Sequence, residues 1–178
     1  PTSSGTRDAF EDMILKGQTK KMDVYTSLYK KDKKKYKAYK KYKKIRQDGV
    51  YVPSGENDNL IVQKLSKNPA AIGIFGYSFL IENDDKVAAA KINGYMPTPD
   101  TISSGQYPIS RSLFFYIKNS HRAKVPAMDK YVAMFMNEDM IGPDGILGDI
   151  GLIALPNDRR SMIQDKVAKN AKLTLDSL

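Results

Sequence analysis

Cysteine is absent from this chain and histidine occurs once. The first absence excludes disulfides, thiol catalysis and thiolate metal sites. The second leaves His121 as the sole imidazole for any nucleophile, histidine and acid arrangement. It stands beside Arg122 and near Lys124 with no neighbouring acid to orient it, so it reads as a surface residue. Long apolar runs are also missing: none approaches the roughly 20 residues that span a bilayer. No HExxH, phosphate-loop lysine or calcium-loop pattern occurs. Asp84 with Asp85, and Asp144 with Asp149, are the candidate paired acids, and both pairs lie in turn-like sequence as solvated groups. No catalytic residue, metal site or cofactor is therefore expected, and a binding protein is the better reading than an enzyme. No signal peptide is visible, but the chain opens on Pro1 rather than methionine, so an upstream part is expected to have been removed.

What is present describes a water-soluble globular chain. Its 178 residues can bury a core as one large domain or two small lobes, with 41% hydrophobic residues and a mean hydropathy of -0.48. The net charge of +9 is concentrated. Residues 30 to 44 contain ten lysines and one aspartate, which leaves the rest of the chain neutral. Such concentration argues against a broad nucleic-acid surface, and no nucleic-acid partner is expected. Tyr36, Tyr39 and Tyr42 interrupt the lysines, and Tyr25, Tyr29 and Tyr36 share a helical face. A long solvated helix or an insertion with tyrosines on the body fits this pattern. The alternative reading of the Lys30–Lys44 segment is a binder of nucleic acid or of an anionic surface, since lysines and aromatics are the residues such binding uses.

The most informative stretch is Thr2-Ser3-Ser4-Gly5-Thr6-Arg7-Asp8. Ser4 or Ser3 is a natural helix cap before a run in which Phe10, Met13 and Ile14 share a face, with acidic residues in the first turn. Gly5 permits close approach to the backbone, first-turn N–H groups point outward, and Thr6 and Arg7 add a hydroxyl and a forked cation. Two readings fit these residues: an ordinary capped helix with a surface arginine, or a seat for a phosphate-like anion.

Along the chain, the first helix is expected from Gly5 to Lys16, with Gly17 as its C-cap. Val50–Val52 reads as a short strand, and a helix follows the turn-rich Pro53–Asn59 and ends at Asn68-Pro69. Ala71–Tyr77 reads as a buried strand, Ser78–Asn83 as a short helix and Lys86–Ile92 as another strand. Thr98 caps a helix to Ser103 with Pro99 at its first position. Ser112–Ile117 is an apolar strand, Met128, Tyr131, Val132, Phe135 and Met136 form the apolar side of a helix opened by Pro126, and an amphipathic helix closes the chain from Asp158 to about Leu175. This alternation predicts an α/β fold with a mixed sheet.

Several of these pieces occur in one order: Ser4-Gly5-Thr6-Arg7-Asp8-Ala9-Phe10-Glu11, Arg46-x-Asp48-Gly49, Gly55-Glu56-Asn57-Asp58-Asn59, Asn68-Pro69-Ala70-Ala71-Ile72-Gly73-Ile74-Phe75-Gly76-Tyr77 and Gly105-Gln106-Tyr107-Pro108-Ile109-Ser110-Arg111. The ordered set, from about residue 3 to 156, resembles the later half of a bacterial phosphate-binding protein, the extracytoplasmic receptor of a high-affinity phosphate ABC transporter. The lysine run has no place in that pattern and looks like an insertion. The resemblance implies a periplasmic-binding-protein-like (type II) architecture of two α/β lobes, mixed sheets flanked by helices, with the first lobe incomplete. Residues 1–106 would form the second lobe, and 107–178 a crossover strand and the C-terminal part of the first. It further implies that Ser4, Gly5, Thr6 and Arg7 bind inorganic phosphate and that the protein is periplasmic. Its implied partners are the transporter's membrane permease subunits and a missing N-terminal portion of the same protein, which would carry the remaining phosphate-binding loops.

Overall fold

A computed structural model of the chain describes residues 4–38, 45–54 and 57–174. It divides into two compact units, Pro1–Ala88 and Ala89–Leu178. In the first unit, helix α1 (Gly5–Ala9) passes into a π-helical stretch (Phe10–Lys16) and on into α2 (Gly17–Thr19). Gly17 does not end the helix as expected. Its φ of -62° is ordinary right-handed helix, and the Thr19 hydroxyl donates to the Leu15 carbonyl at 2.6 Å, tying down the following turn. Helices α3 (Asp23–Lys31) and α4 (Lys33–Ala38) follow. The lysine run is thus broken at Asp32 rather than forming one long helix. Asp32 leaves helical geometry (φ -151°) and its Oδ1 accepts the Lys35 N–H at 2.8 Å, capping α4. Tyr29 and Tyr36 meet edge to face at 5.1 Å, and Tyr36 is buried. The expectations for Tyr39, Tyr42 and the last lysines fall outside the described residues, as do those for Thr2, Ser3, Gly55, Glu56 and Leu175.

Helix α5 (Asn59–Lys67) buries Val62 and ends at Asn68, as its apolar spacing predicts. Gly73 lies against it so closely that a β-carbon there would stand 2.7 Å from Leu65 and 2.9 Å from Ile61. Helix α6 (Tyr77–Ile81) completes the unit.

The second unit opens with a tight turn. Asn93 (φ 50°) and Gly94 (φ 89°) reverse the chain, and Ile92 and Tyr95 form an isolated antiparallel bridge. Helix α7 (Pro99–Ser103) has the predicted Thr98 cap, reinforced by a reciprocal bond between the Thr98 N–H and the Thr101 hydroxyl. A 3₁₀ turn (Asn119–His121) precedes α8 (Met128–Phe135), where Val132 is buried and Phe135 stacks on Phe115 at 4.7 Å. Helices α9 (Glu138–Ile141), α10 (Ile146–Asp149) and α11 (Asn157–Ala168) close the chain.

The predicted mixed sheets are absent: among the described residues there is no strand beyond that single bridge. Val50–Val52, Ala71–Tyr77, Lys86–Ile92 and Ser112–Ile117 were all expected as strands. The Ser112–Ile117 run makes no main-chain hydrogen bond to another described segment, and Ala71 bonds only locally, to Asn68. An apolar run favours extended backbone, but a strand exists only where a neighbour completes the hydrogen-bond ladder. Burial fails with it: Ile72 is 88% and Phe114 71% exposed.

Candidate anion-binding site

Ser4 to Arg7 lie together at the start of α1. Ser4 is extended (φ -140°, ψ 125°), and its Oγ accepts the Arg7 N–H at 3.3 Å while its carbonyl accepts the Asp8 N–H at 2.9 Å. The Gly5 and Thr6 N–H groups meet no acceptor among the described residues. They are the orphan donors of a helix start, on the side where the backbone dipole favours negative charge. Ser4 uses its oxygen as an acceptor and keeps its own proton to donate. Gly5 is exposed, whereas Ser4, Thr6 and Arg7 are half-buried. Arg7 donates through Nε to Glu11 at 3.0 Å, one helical turn on, which steadies the guanidinium and leaves its terminal nitrogens for a second partner. The arrangement offers two backbone donors, the Ser4 and Thr6 hydroxyls and one oriented cation within the first turn and a half. Glu11 went unnoticed as the partner of Arg7 from sequence, although its spacing of four residues carries the signal.

Two other arginines are already matched by carboxylates. Arg46 donates through Nε to Asp48 at 2.7 and 3.0 Å, and its Nη2 also reaches that carboxylate. Those hydrogen bonds hold Asp48 well below the usual carboxylate range, at about 2. In the second unit, Arg160 is buried and donates to Glu138 at 2.9 Å, to the Leu155 carbonyl at 2.7 Å and to Asn157 at 3.1 Å. Gln164 adds a bond to Glu138 at 2.9 Å. The Arg160 hydrogen bonds, then that of Gln164, lower the Glu138 pKa. Sequence spacing gave no sign of this network, since Glu138 and Arg160 are 22 residues apart. An open cleft of about 400 Å³ lies between Arg122, Asp129, Val132, Met136 and Gln164, but Arg122 is held there by Asn119 and Asp129. Among the described residues no cluster of three or more potential metal ligands occurs, and no helix is long and apolar enough to cross a membrane.

Residues 1–139 match the family model described as a PBP superfamily domain. The chain belongs to the PBP superfamily. Within it, the chain is 34% identical over 103 residues to the phosphate-binding protein PstS of Staphylococcus epidermidis, covering 55% of this chain and 30% of that one. It is 33% identical over 103 residues to PstS of Staphylococcus haemolyticus, covering 55% and 31%. PstS of Staphylococcus saprophyticus is 28% identical over 123 residues, covering 64% and 37%. The chain therefore spans about a third of the length of these PBP superfamily relatives. The family read from the ordered motifs is borne out. No solved structure matches the chain.

Proposed function

We propose that this chain is part of an extracytoplasmic solute-binding protein that captures inorganic phosphate and delivers it to the permease subunits of an ABC importer, without catalysis of its own. The observation that carries the reading is the joint one: a PBP superfamily match over residues 1–139, relatives named as phosphate-binding proteins, and a Ser-Gly-Thr-Arg start of α1 with open N–H groups. Ser4 and Thr6 donate hydroxyl hydrogens to phosphate, Gly5 and Thr6 donate backbone N–H groups, and Arg7 supplies a charge-assisted bond. Residues 1–106 act as one lobe, and 107–178 lead to the other. Relatives about three times as long as the matched part support a reading in which further donors come from a segment beyond these residues, a missing N-terminal portion of the same protein.

Titration of the 178-residue chain with inorganic phosphate, followed by amide NMR, tests this. Phosphate should shift the Gly5, Thr6 and Arg7 amides at millimolar concentration. Unmoved amides at those positions would remove them from the site. Calorimetry on the same sample separates half a site from a whole one: sub-micromolar affinity would show that these donors suffice alone.

A further inference from the structure

The α3–α4 segment is the most strongly charged surface on the chain, and the phosphate reading makes no use of it. Lys30, Lys31, Lys33, Lys34 and Lys35 are all exposed and have no ion-pair partner among the described residues. The one acid among them, Asp32, turns its carboxylate onto the Lys35 N–H. Five more lysines follow in sequence by residue 44, while the remainder of the chain is neutral. Two large apolar side chains stand beside this charge at the head of α3: Met22 is 54% and Val24 77% exposed. Val24, Ser27 and Lys31 are spaced to share one helical face, which places apolar and cationic groups on the same side.

The aromatics decide what kind of anion fits. Base stacking needs open ring faces. Tyr36 is only 6% exposed and packs on Tyr29, and the Lys33 ammonium sits 5.4 Å over the Tyr29 ring. Tyr36 is thus withdrawn into the fold, and the 44% exposed Tyr29 ring is engaged by Tyr36 and by the Lys33 ammonium. A cationic patch with an apolar edge, whose described tyrosine rings are already engaged, matches a lipid surface, where lysines meet headgroup phosphates and apolar side chains enter the acyl boundary.

We propose that α3 and α4 dock this protein on anionic phospholipid headgroups through Lys30, Lys31, Lys33, Lys34 and Lys35, with Met22 and Val24 at the acyl boundary. Each lysine near such a surface contributes about a five-fold gain in affinity.

Co-sedimentation of the 178-residue chain with vesicles tests the proposal. The chain should pellet with phosphatidylcholine–phosphatidylglycerol vesicles and stay in solution with phosphatidylcholine alone. The double substitution K30Q/K31Q should weaken binding about 30-fold, whereas K30R/K31R should leave it unchanged. Raising salt should release the protein, since the screening length falls from about 10 Å at 0.1 M to about 3 Å at 1 M. Helix content by circular dichroism confirms that the variants remain folded. Equal pelleting with both vesicle types, or K30Q/K31Q binding as tightly as the parent, overturns the proposal. So does tighter retention on single-stranded DNA than on the anionic vesicles at the same salt.

Discussion

Alanine at Gly142 isolates a steric cost from a conformational one. Gly142 is buried after α9 with φ -69° and ψ 171°, angles that any residue adopts. A β-carbon there would stand 2.4 Å from the Glu138 carbonyl oxygen and 2.9 Å from Glu138 Oε2. Reaching ordinary contact requires the last turn of α9 to retreat by about 1 Å. That carbonyl also accepts the Gly142 N–H at 2.8 Å, so the retreat stretches the bond that closes the helix. Overpacking a tight site costs about 1–3 kcal/mol, and with the weakened bond the expected loss is about 2–4 kcal/mol. Gly94 is the matching control: its φ is +89° and nothing lies within 4 Å of an added β-carbon. Alanine there meets only backbone strain, about 1 kcal/mol. Urea denaturation followed by circular dichroism, with midpoints compared at a common slope, reads both. A Gly142→Ala loss below about 0.5 kcal/mol, or one smaller than that of Gly94→Ala, would refute the steric argument.

Two further outcomes follow from the charged groups. In a complete phosphate-binding protein carrying this sequence, Arg7→Ala should weaken phosphate binding by about 1.5–3 kcal/mol in calorimetry, and unchanged affinity would count against Arg7. Glu138 is held below its ordinary pKa chiefly by Arg160, so its contribution to stability is complete above the unfolded carboxylate value and lost as pH falls through the depressed folded one. Urea midpoints should therefore decline below about pH 4, and Arg160→Met should flatten that part of the profile. Parallel profiles for parent and variant would show that the pair does not link stability to pH.

What could be read in advance follows the range of the interactions. Thr98, Pro99 and Thr101 specify the start of α7 within four residues, and the reciprocal bonds form as that spacing requires. Val62 and Val132 are buried where helical periodicity places them. Glycine at 17 misled because it ends a helix only when the next turn becomes left-handed, and Gln18 and Thr19 allow the helix to go on. The strands failed for a different reason. The apolar, aromatic run Ser112–Ile117 records a preference for extended backbone, but whether a second segment lies alongside is not a property of those six residues. Arg160 escaped notice likewise, because its carboxylate partner, Glu138, lies 22 residues away and no local pattern joins them.

The start of α1 was legible because every part of it is local, and its electrostatics bear on the proposed phosphate seat. Ser4 fixes the turn by accepting the Arg7 N–H, which leaves the Gly5 and Thr6 N–H groups as open donors of the first turn. Orientation alone does not hold a dianion. Arg7 is the single cation in these first turns, whereas Asp8 and Glu11 place two carboxylates beside it, and Glu11 already engages its Nε. On the proposed reading, a phosphate here gains two backbone bonds, the Ser4 and Thr6 hydroxyls and a share of the Arg7 guanidinium against two like charges. The backbone dipole offsets only part of that repulsion, about 0.3–1 kcal/mol at an exposed helix end. On the proposed reading, strong phosphate binding therefore requires donors beyond these four residues, with Ser4 to Arg7 orienting the anion and other groups retaining it.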